Sequence, residues 1–255
     1  LGGGNTIFTT LDLRNSYHQV AMEPKDIHKT AFICHRGAFA YRTMPMGLVN
    51  SGATFQRLMD MVMSGLIFET CLVYLDDIVI FSRTWEEHLP RLEAVLKRIL
   101  DTGLKLKPSK CKLLQRKVIF LGHVITGDGV ATDPSKTEEI NRWPVPRSTK
   151  DVRSFLGLCG YYRRFINQYA EIAFPMTSLL KKGVKFRWNE TCQEAFEKLK
   201  AALTSPPILA MPRDEGTFFL DTDASDHSVG AVLSQMQDGQ ERVIAYAAKV
   251  LQPAQ

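Results

Sequence analysis

The fold is decided by residues 71–82, which read CLVYLDDIVIFS. Two apolar runs rich in β-branched residues flank a pair of aspartates, and this pattern predicts two strands joined by a short turn. Adjacent carboxylates repel each other, and burying them is costly unless a cation compensates their charge. A bound divalent metal ion meets both conditions, whereas an exposed turn that merely holds Asp76 and Asp77 is the alternative interpretation.

The elements on either side of this segment complete a known order. We predict strands at residues 6–13, 112–114 and 118–126, a helix at residues 51–68 with Ser51 as its N-cap, and a helix that starts at a capping box of Thr84 and Glu87. The order strand, helix, strand, strand, helix, strand predicts a ferredoxin-like sheet with helices on one face. A hairpin of residues 30–35 and 38–43 is then an insertion, and Pro90 predicts a kink or restart of the second helix.

A third carboxylate belongs to the same edge of this sheet. Asp12 ends the first strand, which in the ferredoxin-like order lies beside the hairpin that carries Asp76 and Asp77. Three carboxylates on adjacent strand ends suit two Mg²⁺ ions, which prefer oxygen ligands. Two such ions, about 3.5–4 Å apart, stabilise the attacking and leaving oxygens in phosphoryl transfer.

Beyond residue 133 the pattern turns helical and then returns to strands. Helices are predicted at residues 133–142, 148–158, 160–169 and 190–203, and strands at residues 217–221, 228–235 and 242–247. An aromatic stripe at helical spacing is interpreted as helix core rather than a base-stacking platform: Phe155, Leu158, Tyr162, Phe165 and Tyr169. The basic residues around it are candidates for phosphate contacts: Arg147, Lys150, Arg153, Arg163 and Arg164.

Composition excludes several classes of protein. Hydrophobic residues make up 45% of the 255 residues, as in ordinary globular chains, which excludes disorder as the main state. There is no apolar run long enough to span a membrane and no signal-peptide pattern. The five cysteines contain no CxxC pair, which indicates reduced thiols in an intracellular protein, cytoplasmic or nuclear and not secreted. A net charge of +5 permits a polyanionic partner without requiring one.

The motifs together resemble the reverse transcriptase and ribonuclease H region of gypsy-type long-terminal-repeat retrotransposon polyproteins. YLDD at residues 74–77 is similar to the YxDD box, and LDLRNSYHQ at residues 11–19 to the preceding aspartate motif. MPMGL at residues 44–48, running to ATFQ at 53–56, resembles the nucleotide-pocket motif, and FLGH at residues 120–123 the primer grip. SFLGL, YYRRF and TDAS, at residues 154–158, 161–165 and 222–225, resemble the downstream segments. The match is ordered and covers nearly the whole chain.

The resemblance implies an α+β protein with a polymerase palm and partial fingers at residues 1–130. Thumb or connection helices would occupy residues 131–212, and the N-terminal part of a ribonuclease H-like α/β domain residues 213–255. The chain opens with LGGG rather than Met, and we interpret it as a piece of a longer protein with an incomplete nuclease. We therefore expect that this chain alone does not degrade the RNA of a hybrid.

The resemblance also implies roles for individual residues. Asp12, Asp76 and Asp77, with the backbone carbonyl of Leu13, would hold two Mg²⁺ ions, for which Mn²⁺ is a substitute. Tyr17 would be the gate that selects deoxynucleotides, with Met46 and Tyr74 also in the nucleotide pocket; a core tyrosine is the alternative for Tyr17. The remaining implied positions are the general acid Lys110, the primer grip Leu121, Gly122 and His123, and the ribonuclease H-like carboxylate Asp223.

Alternatives remain at two of these positions and for the function itself. Lys107 rivals Lys110 in a basic run that is otherwise interpreted as a solvated surface, and Asp221 and Asp226 rival Asp223. The leading hypothesis is an RNA-directed DNA polymerase that extends a primer with dNTPs on an RNA or DNA template. The alternatives are a catalytically inactive nucleic-acid-binding remnant of a retroelement and a different palm polymerase with the same sheet order.

Overall fold

A computed structural model describes residues 3–205, 207–226 and 228–251. The chain separates into two compact units. Residues 5–120 form the first unit; the second begins at residue 121 and also includes Gly3 and Gly4. The finer division at residues 130 and 212 stays a prediction.

The first unit is built on a four-stranded antiparallel sheet in the order β4-β5-β1-β6. Its elements are β1 Ile7–Asp12, β2 Phe32–Cys34, β3 Gly37–Phe39, α1 Ser51–Val62, β4 Cys71–Tyr74, β5 Asp77–Ser82, α2 Trp85–Asp101, β6 Lys112–Gln115 and β7 Lys117–Phe120. Leaving aside the separate hairpin of β2 and β3, this is the strand order of the ferredoxin-like fold. The predicted fold class of the first unit is therefore confirmed.

The apolar faces of the strands and of the two helices form one core. Ile78 and Ile80 of β5 alternate toward it, and Phe55 and Met59 of α1 and Val95 of α2 lie on their helices at positions that face the sheet. All five side chains are completely buried, so the predicted periodicities correspond to the observed faces.

The helix α1 differs from its prediction at both ends. It ends at Val62 rather than residue 68, because the chain turns through left-handed conformations at Gly65 and Phe68, with φ of 80° and 72°. Asn50 occupies the N-cap position, so the prediction that Ser51 caps the helix is wrong. The Ser51 hydroxyl instead donates to the carbonyl of Pro45 at 3.0 Å.

The helix α2 begins as predicted and continues where a break was expected. The Thr84 hydroxyl accepts from the Glu87 amide at 3.3 Å, and the Glu87 carboxylate accepts from the Arg83 amide at 2.9 Å. Pro90 lies inside the continuous helix, so the predicted restart is wrong. Proline has no backbone N–H, so one helical hydrogen bond is missing in the second turn. The carbonyl that loses its donor is that of Glu86, an exposed residue, and water can donate to it instead.

Within its described residues, the second unit combines a β-hairpin, four α-helices and a three-stranded antiparallel sheet. Its elements are β8 His123–Thr126, β9 Gly129–Thr132, α3 Pro134–Asn141, α4 Thr149–Tyr161, α5 Tyr169–Ser178, α6 Glu190–Thr204, β10 Phe218–Ala224, β11 Ser228–Gln237 and β12 Gln240–Val250. The last three strands form where strands were predicted, and they pair in chain order. Phe155 of α4 and Phe196 of α6 lie at the centre of the core with ring centroids 4.6 Å apart.

Two predicted elements of the second half are wrong. The single strand at residues 118–126 is divided, because Leu121 and Gly122 adopt left-handed conformations with φ of 47° and 66°. The helix at residues 160–169 does not form: α4 ends at Tyr161, and one 3₁₀ turn, Arg163–Phe165, precedes the left-handed Gln168. The following helix α5, which has Pro175 inside it, was not predicted.

The aromatic stripe is core, as interpreted. Phe155, Tyr162 and Phe165 are at most 2% exposed, and Leu158 and Tyr169 pack against them. None of the helices in the described ranges has the length and apolar character that crossing a bilayer requires.

Candidate functional site

The three predicted aspartates meet at one edge of the first unit's sheet. Asp12, the last residue of β1, lies directly opposite Asp77, the first residue of β5, in the antiparallel register. Asp76 precedes Asp77 in the two-residue turn between β4 and β5. Residues opposite each other in a sheet project to the same face, so the carboxylates of Asp12 and Asp77 share a face.

The electrostatics of this edge show the mutual repulsion expected of three acids. Partial desolvation raises the pKa of Asp77, which lies at the exposed end of β5, and the charges of Asp76 and Asp12 raise that pKa further. Lys110 offsets part of this effect, because its Nζ lies 3.0 Å from Oδ2 of Asp12. The hydrogen bond to Asp12 in turn raises the pKa of Lys110.

Lys110 and Lys107 reach Asp12 in different ways. Lys110 closes a short 3₁₀ turn, Pro108–Lys110, that directs its ammonium group to the carboxylate. Lys107 donates its backbone amide to the carbonyl of Asp12 at 2.8 Å. The geometry therefore favours Lys110 over Lys107 as the cation of the site.

The donor chemistry fits a hard divalent cation, although the carboxylates as placed do not form a completed metal cage. In the part of the chain that the structure describes, no group of three acidic, histidine or cysteine side chains is arranged to hold a metal ion. Asp12 is instead paired with Lys110. Clustered carboxylates that raise one another's pKa are nevertheless the oxygen ligands that Mg²⁺ prefers.

The Leu13 carbonyl has an orientation consistent with the ligand role implied for it. Leu13 forms an antiparallel bridge with Leu106, in which the flanking Asp12 carbonyl and Arg14 amide make the two hydrogen bonds. In such a bridge the central residue's own carbonyl points to the opposite side, which here is the side of β5. The Leu13 oxygen is thus directed toward the strand that carries Asp77.

Two further residues, Gln56 and Ser16, support the aspartates, and neither was predicted from the sequence. Gln56 on α1 accepts at its Oε1 from the amide of Leu75, the left-handed turn residue with a φ of 54°, at 2.7 Å. The buried Ser16 donates its hydroxyl to Oδ2 of Asp76 at 3.3 Å. Both residues lie inside the motifs quoted above, so their position was a signal, but only the fold shows which atoms they serve.

The three residues assigned to the nucleotide pocket differ in exposure. Tyr17 is partly buried and its ring meets Phe55 edge-on, with centroids 5.6 Å apart. A Cβ on Gly52 would lie 3.9 Å from both the Tyr17 hydroxyl and the Leu75 side chain, which places Tyr17 near the aspartate turn. Met46 and Tyr74 are exposed, at 69% and 54%. Tyr17 thus combines core packing with an approach to the site.

The remaining predicted positions lie in the second unit. Leu121 and Gly122 form a left-handed turn that leads into β8, and His123 is the first residue of that strand. Asp223 is exposed on β10 and lies opposite Gly230 of β11 at an open depression of about 490 Å³. Asp221 is two residues earlier on the same strand and Asp226 lies just beyond it, so the structure leaves both rivals close to Asp223.

Comparison with known proteins identifies two regions. Residues 2–125 match the family model described as reverse transcriptase (RNA-dependent DNA polymerase). Residues 188–255 match the model described as RNase H-like domain found in reverse transcriptase. The retrovirus-related Pol polyprotein from transposon 297 of Drosophila melanogaster is 48% identical over 229 residues, which are 89% of this chain and 22% of that protein.

Solved structures give the same assignment. The foamy viral protease-reverse transcriptase dRH in complex with double-stranded DNA is 27% identical, with a TM-score of 0.87, over 99% of this chain and 44% of that chain. The foamy viral protease-reverse transcriptase in complex with an RNA/DNA hybrid is 27% identical, with a TM-score of 0.82, over 97% of this chain and 34% of that chain.

The sheet, the three aspartates at its edge and the two matched regions define a reverse transcriptase followed by an RNase H-like segment. Enzymes of this class generally use divalent metal ions. More narrowly, the curated relatives that the chain matches are retrotransposon Pol polyproteins, and the gypsy type is consistent with them. The chain spans between 18% and 26% of the length of those polyproteins.

Proposed function

We propose that this chain is the RNA-directed DNA polymerase part of a retrotransposon polyprotein, which transfers nucleotides from dNTPs to a primer 3′-hydroxyl. The observation that carries the proposal is the register of β1 and β5, which sets Asp12 opposite Asp77 with Asp76 in the adjoining turn. The proposed partners are dNTPs and an RNA or DNA template–primer duplex. The foamy viral relatives in complex with double-stranded DNA and an RNA/DNA hybrid support the duplex.

Asp12, Asp76 and Asp77, with the Leu13 carbonyl, would hold two Mg²⁺ ions, or Mn²⁺ in their place. Bound there, the metals would supply charge stabilisation to the attacking and leaving oxygens. Lys110 would donate a proton to the pyrophosphate leaving group as general acid. The ion pair at 3.0 Å to Asp12 keeps its ammonium group protonated and beside the reacting centre.

Tyr17 would lie beneath the sugar of the incoming nucleotide, where its ring would exclude a 2′-hydroxyl. Its packing on Phe55 supports this role, because a ring held against the core presents a fixed steric limit. Tyr74 and Met46 would contact the nucleotide from the exposed side of the turn and from the loop before Gly47.

The second unit would contribute the primer grip at Leu121, Gly122 and His123, and Asp223 would be the first carboxylate of the RNase H-like segment. Basic side chains exposed along α4 and after it, such as Arg153 and Arg164, would contact phosphates without reading sequence. An intracellular location, in a cytoplasmic particle or the nucleus, is part of the proposal, and five unpaired cysteines support it.

The test is Mg²⁺-dependent primer extension by the chain and by its Asp76→Asn variant. We expect the variant to lose extension while it keeps its affinity for the template–primer duplex. Asp101→Asn, which neutralises an exposed carboxylate at the end of α2, is the matched control and should extend normally. Extension that survives Asp76→Asn would refute the proposed role.

The inactive remnant is separated from the polymerase by a second version of the protein. The chain is assayed alone and again with the sequence that flanks it in the polyprotein. Duplex binding with no extension in either version favours the inactive nucleic-acid-binding remnant. Extension in either version, abolished by Asp76→Asn, supports the polymerase.

A further inference from the structure

The turn at Leu121 and Gly122 has a backbone conformation that its neighbours must hold in place. Leu121 has a φ of 47°, a left-handed conformation that is unfavourable for a residue with a side chain. Gly122 follows with a φ of 66°. Two consecutive left-handed residues turn both of their carbonyl groups out of the strand direction, so these oxygens need donors from elsewhere.

Two adjacent tyrosines supply those donors. The hydroxyl of Tyr161 donates to the Leu121 carbonyl at 2.6 Å, and the hydroxyl of Tyr162 donates to the Gly122 carbonyl at 2.8 Å. The pair stands at the end of α4, where Tyr161 is the last helical residue and Tyr162 the C-cap. Because the helix ends between them, two neighbouring side chains reach two neighbouring carbonyls.

The tyrosines also occupy the space above the turn. A Cβ on Gly122 would lie 3.3 Å from the Tyr162 hydroxyl and 3.5 Å from the Tyr161 ring. The two tyrosine rings meet edge-on with centroids 5.0 Å apart. Tyr162 is 1% exposed, and its burial raises its pKa to about 12, so it remains a neutral donor at physiological pH.

His123 completes the enclosure of the turn. Its Nδ1 lies 2.7 Å from the Leu121 carbonyl, which can only accept, so Nδ1 carries the proton. The ring packs against Tyr161, Tyr162 and Phe165 with centroid distances of 5.4–5.7 Å. Its Nε2 is buried and has no hydrogen-bond partner among the residues that the structure describes, and burial lowers the pKa of the ring. The imidazole therefore acts as a neutral second donor to Leu121.

We propose that Tyr161 and Tyr162 are positioning residues for the primer terminus, which they align by fixing the left-handed turn at Leu121 and Gly122. The inference rests on the proposed function, because it takes this turn as the primer grip. Neither tyrosine needs to touch the primer: each hydroxyl holds a carbonyl of the turn, and the turn holds the primer strand.

The experiment compares Tyr161→Phe, Tyr162→Phe and the double variant with Tyr169→Phe. Tyr169 is the matched control, because its partly buried hydroxyl also donates to a backbone carbonyl, that of Leu156 at 3.3 Å, rather than to a carbonyl of the turn. Hydrogen exchange of residues 121–126 tests the turn. We expect roughly three- to tenfold faster exchange in Tyr161→Phe and Tyr162→Phe, and wild-type exchange in Tyr169→Phe.

A 2-aminopurine at the 3′ end of a bound DNA primer tests alignment without requiring catalysis. We expect brighter, more heterogeneous fluorescence in both variants at an unchanged duplex Kd, because the terminus becomes misaligned rather than released. Primer extension should show a kcat about three- to tenfold lower with an unchanged dNTP KM. Tyr161 is half exposed, so its variant tests the inference even where Tyr162→Phe impairs folding.

The outcomes separate this inference from the proposed function. Wild-type exchange in both variants, or equal changes in Tyr169→Phe, would overturn the role of the tyrosines. Faster exchange with an unaltered 2-aminopurine signal would also overturn it, by showing a turn that does not align the primer. A wild-type protein that aligns the 2-aminopurine and never extends it would instead defeat the proposed polymerase activity and leave the tyrosine result standing.

Discussion

Replacing His88 by leucine should destabilise the first unit through a buried chain of hydrogen bonds. Thr9, Ser82 and His88 are completely buried. The Leu114 amide donates to the Thr9 hydroxyl at 3.0 Å, and that hydroxyl lies 2.8 Å from His88 Nε2. On the other side of the ring, His88 Nδ1 lies 2.8 Å from the Ser82 hydroxyl, and the Ser82 hydroxyl donates to the Thr84 carbonyl at 3.0 Å. One assignment of protons satisfies every link: Nδ1 donates to Ser82, and Thr9 donates to Nε2.

The expected loss follows from what leucine leaves behind. Two hydrogen bonds of about 0.5–1.5 kcal/mol each disappear, and the Thr9 hydroxyl is left as a buried donor without an acceptor, which costs about 1–3 kcal/mol. Because these terms overlap, we expect the free energy of unfolding to fall by roughly 2–4 kcal/mol.

The same network makes the stability of the wild-type unit depend on pH. Burial lowers the pKa of His88 from its usual 6.5, and the nearby Arg91 lowers it further. The unfolded chain therefore takes up a proton near pH 6.5 that the folded chain does not accept until a lower pH. The contribution of neutral His88 to the free energy of unfolding is complete above pH 6.5. It is lost as the pH falls toward the pKa of His88 in the folded protein, by at most about 1.4 kcal/mol per pH unit.

The assay is hydrogen exchange of the β1 and β5 peptides in increasing urea, at pH 7.5 and pH 5.5 after correction for intrinsic exchange. His88→Leu should lower the unfolding free energy at pH 7.5 and show a smaller loss between the two pH values than the wild type. His35→Leu, at an exposed histidine of the first unit, is the control and should keep the wild-type pH dependence. An undiminished pH dependence in His88→Leu would refute the reasoning.

Three other substitutions test separate parts of the structure. Gln56→Met removes the 2.7 Å bond to the Leu75 amide and should reduce kcat for primer extension roughly tenfold, whereas Gln193→Met, at a partly buried glutamine of α6, should not. Tyr17→Ala should raise incorporation of ribonucleotides relative to deoxynucleotides, measured as the ratio of kcat/KM values; an unchanged ratio would contradict the gate. Gly129→Ala puts a Cβ 2.1 Å from the Leu209 carbonyl and should cost roughly 2–3 kcal/mol in urea unfolding, while Gly157→Ala, whose Cβ meets no atom within 4 Å, should cost none.

The sequence predicted the sheet of the first unit because its signals are local and agree with one another. The strands around Asp76 and Asp77 combine β-branched residues with a short turn, and the order of elements allows few topologies. Asp12 could be assigned to the same edge from topology alone, and the observed register confirms that it lies beside the hairpin.

The errors arose where single residues adopt unusual backbone conformations or where tertiary contacts override local rules. The residue types of Leu121 and Gln168 do not indicate a left-handed conformation. At Leu121, a hydrogen bond to its carbonyl comes from Tyr161, 40 residues away in the sequence. The helix α5 was not predicted; it contains Pro175, which local rules disfavour inside a helix, and it is stabilised in the core through Ala173 and Met176. Gln56 and Ser16 were missed for a related reason, since a glutamine or serine bonded to one particular atom looks like any other in sequence.

The pairing of Asp12 with Asp77 limits which insertions and deletions in the coding sequence are compatible with function. Side chains alternate along a strand, so adding or removing one residue within β1 or β5 would move a carboxylate to the opposite face of the sheet while leaving its codon intact. Frame-preserving indels in these two strands should therefore abolish function completely rather than by degrees. The hairpin of β2 and β3, which forms its own two-stranded sheet, should tolerate changes in length far better.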